Sequence, residues 1–105
     1  MKVSMLGSAM ALLLLIPAAA GAGVDTRRLE HLLTQDCGAC HGLHLTGGLG
    51  PPLTPRALAG HSRDSLIATV TYGRPARAMP GWAPLLSASE IAWLVDRLLQ
   101  GSLAP

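Results

Sequence analysis

The chain has 105 residues, half of them apolar, with one tyrosine, two tryptophans and no phenylalanine. That length admits one domain and no more. Lys2 is the only lysine. The other basic residues are Arg27, Arg28, Arg56, Arg63, Arg74, Arg77 and Arg97, set against six acids, a near-neutral balance that argues against a basic stripe for nucleic acid and against docking through a lysine-rich ring.

Met1 and Lys2 make a short positive start, Val3 to Ile16 is largely apolar, and Pro17 is followed by the small residues Ala18, Ala19, Ala20, Gly21, Ala22 and Gly23. This order predicts a secretory signal peptide over residues 1–22, cleaved after Ala20 or Ala22, and one domain over residues 23–105. An uncleaved membrane anchor is the alternative, since no charge falls between Lys2 and Asp25, but Pro17 and the glycines interrupt the run. No cysteine near the cleavage site could carry a lipid. A domain this short, with so few large rigid side chains, needs a staple or a bound group with a wide apolar face.

Leu29, Leu32 and Leu33 at i, i+3 and i+4 predict a first helix from about Thr26 to Gln35. Gly42 to Leu53 then holds Gly47, Gly48, Gly50, Pro51 and Pro52 and is neither helix nor central strand. A short helical turn is expected around Pro55 to Leu58. Ser62 is an expected N-cap for a second helix carrying Leu66, Ile67 and Val70 and stopped by Gly73. Gly73 to Pro84, with Pro75, Pro80, Gly81 and Pro84, is irregular. Ser87 to Glu90 reads as a capping box, opening a third helix whose Ile91, Leu94, Val95, Leu98 and Leu99 form one apolar face ending at Gly101. No segment alternates long enough to argue a sheet, so the fold class is all-α.

Cys37-Gly38-Ala39-Cys40-His41 matches C-x-x-C-H, in which two thiols add across the vinyl groups of haem and the adjacent histidine binds iron. The expected cofactor is one covalently attached haem c. Rival readings are weaker: a thioredoxin-like dithiol belongs in a βαβ setting absent here, a zinc site would have to recruit His44 and His61 without a second ligand pair, and a plain disulfide would close a tiny loop. For the second axial ligand, Met1, Met5 and Met10 fall in the signal peptide, leaving Met79 beside Pro80, and a thioether is the ligand that raises the potential of an electron carrier. His44 and His61 stay open as alternatives, whereas His31 lies on the motif's own helix. Pro51, with a carbonyl and no N–H, is the expected partner for the second ring nitrogen of His41. Leu53 is expected to close over the haem face, with Trp82, Ile67 and Val70 as further walls. Arg74 and Arg77 face either the propionates or solvent. Asp36 is expected to be solvated, and with no nucleophile or acid–base pair in view the chain reads as an electron-transfer protein rather than an enzyme.

With C-x-x-C-H after a first helix, then G-P-x-L, a Met-Pro loop and a last helix bearing Trp93-Leu94, the chain resembles the class I cytochrome c family. The resemblance implies three main helices and loops around one haem, with first and last helices crossing. Many members have glycine at that crossing; Leu29 stands here, which implies a looser or shifted contact. A narrower likeness is to the small cytochromes of the c55X group, encoded with the haem-d-type dissimilatory nitrite reductase. It rests on Gln35 to Gly42, Gly47-Gly48-Leu49-Gly50-Pro51-Pro52-Leu53, Arg63-Asp64-Ser65-Leu66, Gly73-Arg74-Pro75 and Ala78-Met79-Pro80. That likeness implies a periplasmic, monomeric carrier in denitrification that takes electrons from a periplasmic or membrane donor and gives them to nitrite reductase, or one that assists maturation of the reductase's special haem. A haem-based sensor with a labile Met79 is a third possibility.

Overall fold

A computed structural model of the chain describes residues 23–101, together with residues 2, 4, 7 and 9–14. The expected cleavage points after Ala20 and Ala22 and residues 102–105 lie outside the described residues. Among the described residues all regular structure is helical, and no helix is long and apolar enough to cross a membrane.

Asp25 starts the first helix, its carboxylate accepting from the Arg28 amide at 3.1 Å, and α1 runs from Thr26 to Leu32. The ladder then slips by one residue: Leu33–Cys37 is a π-helical turn in which the Gly38 amide donates to the Leu33 carbonyl. A regular turn, α2, follows over Gly38–His41. The expected stop near Gln35 is therefore corrected, because the helix continues through the whole C-x-x-C-H motif. Glycine's poor helix propensity is overridden at Gly38, which is buried in the fold, while Leu29 and Leu33 anchor the preceding turns with no exposed surface.

The other elements start and stop where capping chemistry places them. Thr54 caps α3 (Pro55–Leu58), Ser62 caps α4 (Arg63–Tyr72), and Gly73 ends α4. α5 (Ala88–Gln100) opens on the expected capping box, the Glu90 amide donating to Ser87 Oγ at 3.1 Å and the Ser87 amide to Glu90 Oε1 at 2.9 Å; it closes on Gly101 in the left-handed region.

Leu29 and Leu33 of the first helix pack with Leu45, Leu58, Leu86, Ile91, Leu94 and Leu98 into one core. Leu29, where a looser crossing was implied, is fully buried. Ion pairs Arg28–Glu90 and Arg97–Glu30 join α1 to α5, and Arg63 grips both carboxylate oxygens of Asp96 at 2.6 and 3.0 Å to join α4 to α5. α4 differs from the rest in having no fully buried residue: its Leu66, Ile67 and Val70 are half-covered where they meet the core.

Candidate functional site

Cys37 closes the π-helical turn and is half-buried, Cys40 lies one turn on and is exposed, and His41 ends α2. No disulfide joins the two. Burial, with the carboxylate of Asp36 adding to it, pushes the Cys37 thiol up to about 11. Positions three apart in a helix share a side, which lets both sulfurs reach one flat ligand while the next residue is turned to a different bearing.

The loop after His41 folds back over the motif. Gly42 leaves the helix at φ +92°, the Gly47 amide donates to the His41 carbonyl at 2.8 Å, and the Gly50 amide donates to the Cys40 carbonyl at 2.7 Å. These bonds lay Gly50 flat on the imidazole: a Cβ at residue 50 would stand 2.7 Å from Cε1 and 2.8 Å from Nδ1 of His41. Pro51 then offers its carbonyl 2.7 Å from Nδ1. A carbonyl only accepts, so Nδ1 holds the ring proton and Nε2 keeps a lone pair for a metal.

A second loop carries Met79. The Arg74 amide donates to the Met79 carbonyl at 3.1 Å, and the Trp82 and Ala83 amides donate to Val70 and Thr71 of α4 at 2.9 and 3.2 Å. Met79 and Trp82 are half-buried, while Arg74, Arg77 and Ala78 are exposed. Leu53, Ile67, Val70 and Trp82 are each partly covered against the core. Leu53 also donates its amide to the Leu45 carbonyl at 2.9 Å, so it braces the first loop as well as offering an apolar wall. His31, His44, His61 and Asp36 are exposed, and among the described residues no three His, Cys, Asp or Glu side chains gather into a metal-binding cluster.

The family described as cytochrome C oxidase, cbb3-type, subunit III matches residues 24–96. Cytochrome c55X of Stutzerimonas stutzeri is 63% identical over 102 residues, covering 94% of this chain and 90% of that protein. The chain belongs to the cytochrome c55X family. This cytochrome is also similar to the solved c-type cytochrome NirC, with 64% identity and a TM-score of 0.74 over 76% of this chain and 94% of that one. A further likeness is to the Dihydro-heme d1 dehydrogenase NirN in complex with DHE, with 36% identity and a TM-score of 0.66. That match covers 71% of this chain and only 16% of the dehydrogenase. The class I resemblance, its narrower c55X form and the all-helical fold are borne out, and the cytochrome is an electron carrier of the haem c type rather than an enzyme.

The sequence places Gly50 in the G-P-x-L turn beside His41, Gly73 at the end of a helix and Gly81 in an irregular stretch, without showing the close contacts that the backbone of each makes. The signal was available at Gly50, where glycine directly precedes the proline expected to hold His41. Nothing in the sequence marks the π-helical turn.

Proposed function

We propose that this cytochrome c55X is a periplasmic monohaem carrier with haem bonded to Cys37 and Cys40 and iron held by His41 and Met79, and that it gives single electrons to dissimilatory nitrite reductase. The observation that carries the site assignment is the imidazole of His41, fixed between the Gly50 backbone and the Pro51 carbonyl with Nε2 free to ligate. The donor chemistry fits the group: two thiols, an oriented imidazole, and a set of half-covered apolar side chains, Leu53, Ile67, Val70 and Trp82, on elements around them. When bound, haem c supplies a one-electron ferrous–ferric couple.

Each residue has a task around that couple. The thiols of Cys37 and Cys40 tether the ring. The Pro51 carbonyl makes the imidazole a stronger donor, Met79 offsets it as the softer ligand, and the apolar walls exclude water. Replacing Met79 by Ala is expected to open the iron to carbon monoxide and lower the potential; an unchanged spectrum and potential would move the ligand to His44 or His61.

A second reading, a role in maturing the reductase's special haem, draws support from the likeness to one part of the Dihydro-heme d1 dehydrogenase. Stopped-flow mixing of the reduced holoprotein with oxidised nitrite reductase separates the two. Rapid oxidation that sustains nitrite turnover supports the carrier. No transfer on the turnover timescale, together with an ability to complete a reductase lacking its finished haem, supports maturation.

A further inference from the structure

The loop that bears Met79 is closed at its base by two glycines from opposite ends of it. Gly73 ends α4 with φ +72° and ψ −166°, a region that residues with a side chain essentially do not occupy. A Cβ there would lie 2.6 Å from three backbone atoms at once: the Met79 carbonyl oxygen, the Pro80 carbonyl carbon and the Gly81 nitrogen. Gly81 returns the contact, since a Cβ at that position would stand 2.8 Å from the Thr71 carbonyl oxygen and 2.8 Å from the Tyr72 carbonyl carbon. Both obstacles are backbone, which cannot swing aside as a side-chain tip can. The Arg74–Met79, Trp82–Val70 and Ala83–Thr71 hydrogen bonds run through the same junction. Beyond it the loop is stiff and short, with Pro75, left-handed Ala76 at φ +60° and Pro80 limiting its backbone.

We propose that Gly73 and Gly81 are positioning residues for Met79, forming a backbone clasp that holds its loop shut and so keeps the thioether on the iron. This rests on the reading that Met79 is the iron ligand. The clasp gives Met79 its place without any contact to its side chain. Opening of the site then requires parting two chain segments, not the rotation of one side chain. A methyl group at residue 73 or 81 must displace segment 79–81 from α4 and carry Met79 with it.

The test uses the ferrous holoprotein and carbon monoxide as probe, in wild type and in the Gly73→Ala, Gly81→Ala, Met79→Ala and Gly60→Ala variants. Gly60 has no heavy atom within 4 Å of its missing Cβ and is the neutral control. Strain of the size such backbone positions carry predicts about a tenfold to hundredfold larger open fraction, and a proportional gain in carbon monoxide binding, for Gly73→Ala and Gly81→Ala, with Gly60→Ala matching wild type. If Met79→Ala opens the site while both clasp variants bind like wild type, the clasp is overturned. If Met79→Ala itself changes nothing, the ligand assignment is what fails. Hydrogen exchange on the wild-type holoprotein gives a reading that survives a variant's failure to fold. The Arg74, Trp82 and Ala83 amides should exchange far more slowly than those of Ala76 and Ala78, which donate to no backbone carbonyl among the described residues. Equal rates would overturn the proposal.

Discussion

The loop from Gly42 to Leu53 and the loop from Gly73 to Trp82 are both closed by glycine, yet they hold their proposed ligands differently. His41 sits at the end of a helix whose Leu29 and Leu33 are fully buried, and its ring is touched directly by Gly50 and bonded by Pro51. Met79 hangs from α4, which buries no residue completely, and only the base of its loop is pinned. One side is therefore fixed by the protein's own core. The other depends on backbone geometry and on the cofactor that its half-covered apolar side chains would cover.

The largest test of that contrast lies in the core. Leu33→Ala removes a side chain with no exposed surface and is expected to destabilise the holoprotein by about 2 to 5 kcal/mol. Val70→Ala, on half-buried α4, should lose clearly less when both are compared by denaturant titration. Equal losses would erase the distinction between the two sides.

Next comes the ring contact. Gly50→Ala drives a methyl group into the His41 imidazole and is expected to destabilise by about 1 to 3 kcal/mol, as overpacking does. By weakening the bond to Pro51 it makes the imidazole a poorer donor, so the potential should rise. Met79→Ala should move the potential the opposite way, and redox titration of the pair reads both signs. A Gly50→Ala potential equal to wild type would mean that the ring finds another seat.

The smallest effect belongs to the α4–α5 ion pair. The hydrogen bond from Arg63 holds the Asp96 carboxyl below the usual carboxylate range. Because the folded value is depressed, the stabilisation is present above the unfolded carboxylate range and is lost as the pH falls through the folded value. Both side chains are substantially exposed, so Asp96→Asn should shift the melting temperature only slightly at neutral pH. The difference from wild type should vanish in acid.

Much of this is legible in the sequence alone. Ser62, Ser87 and Glu90 act locally on amides a few residues away, and local chemistry is what a sequence displays. Cys37, Cys40 and His41 are legible because C-x-x-C-H is the spacing that a covalently attached haem would require. The His41–Pro51 bond was foreseen from residue type, proline having a carbonyl to give and no amide to place. Gly50 is harder: its constraint comes from a ring nine positions earlier, and its one local mark is that it directly precedes Pro51. The Gly73–Gly81 contact is non-local in the same sense. The helix end is misplaced because the apolar spacing of Leu29, Leu32 and Leu33 runs out before Gln35, whereas the folded chain stays helical through the buried Gly38.

The π-helical turn over Leu33–Cys37 amounts to one extra residue accommodated inside a helix. In a regular α-helix each residue advances the bearing by about 100°. Deleting Thr34 would let the ladder run evenly from Asp25 to His41 and leave both cysteines and the histidine near their present bearing, whereas deleting a residue from the regular turns of α1 would swing them by about 100° away from Gly50 and Pro51. A sequence one residue shorter in those regular turns would keep its motif intact letter for letter and still aim it at the wrong wall.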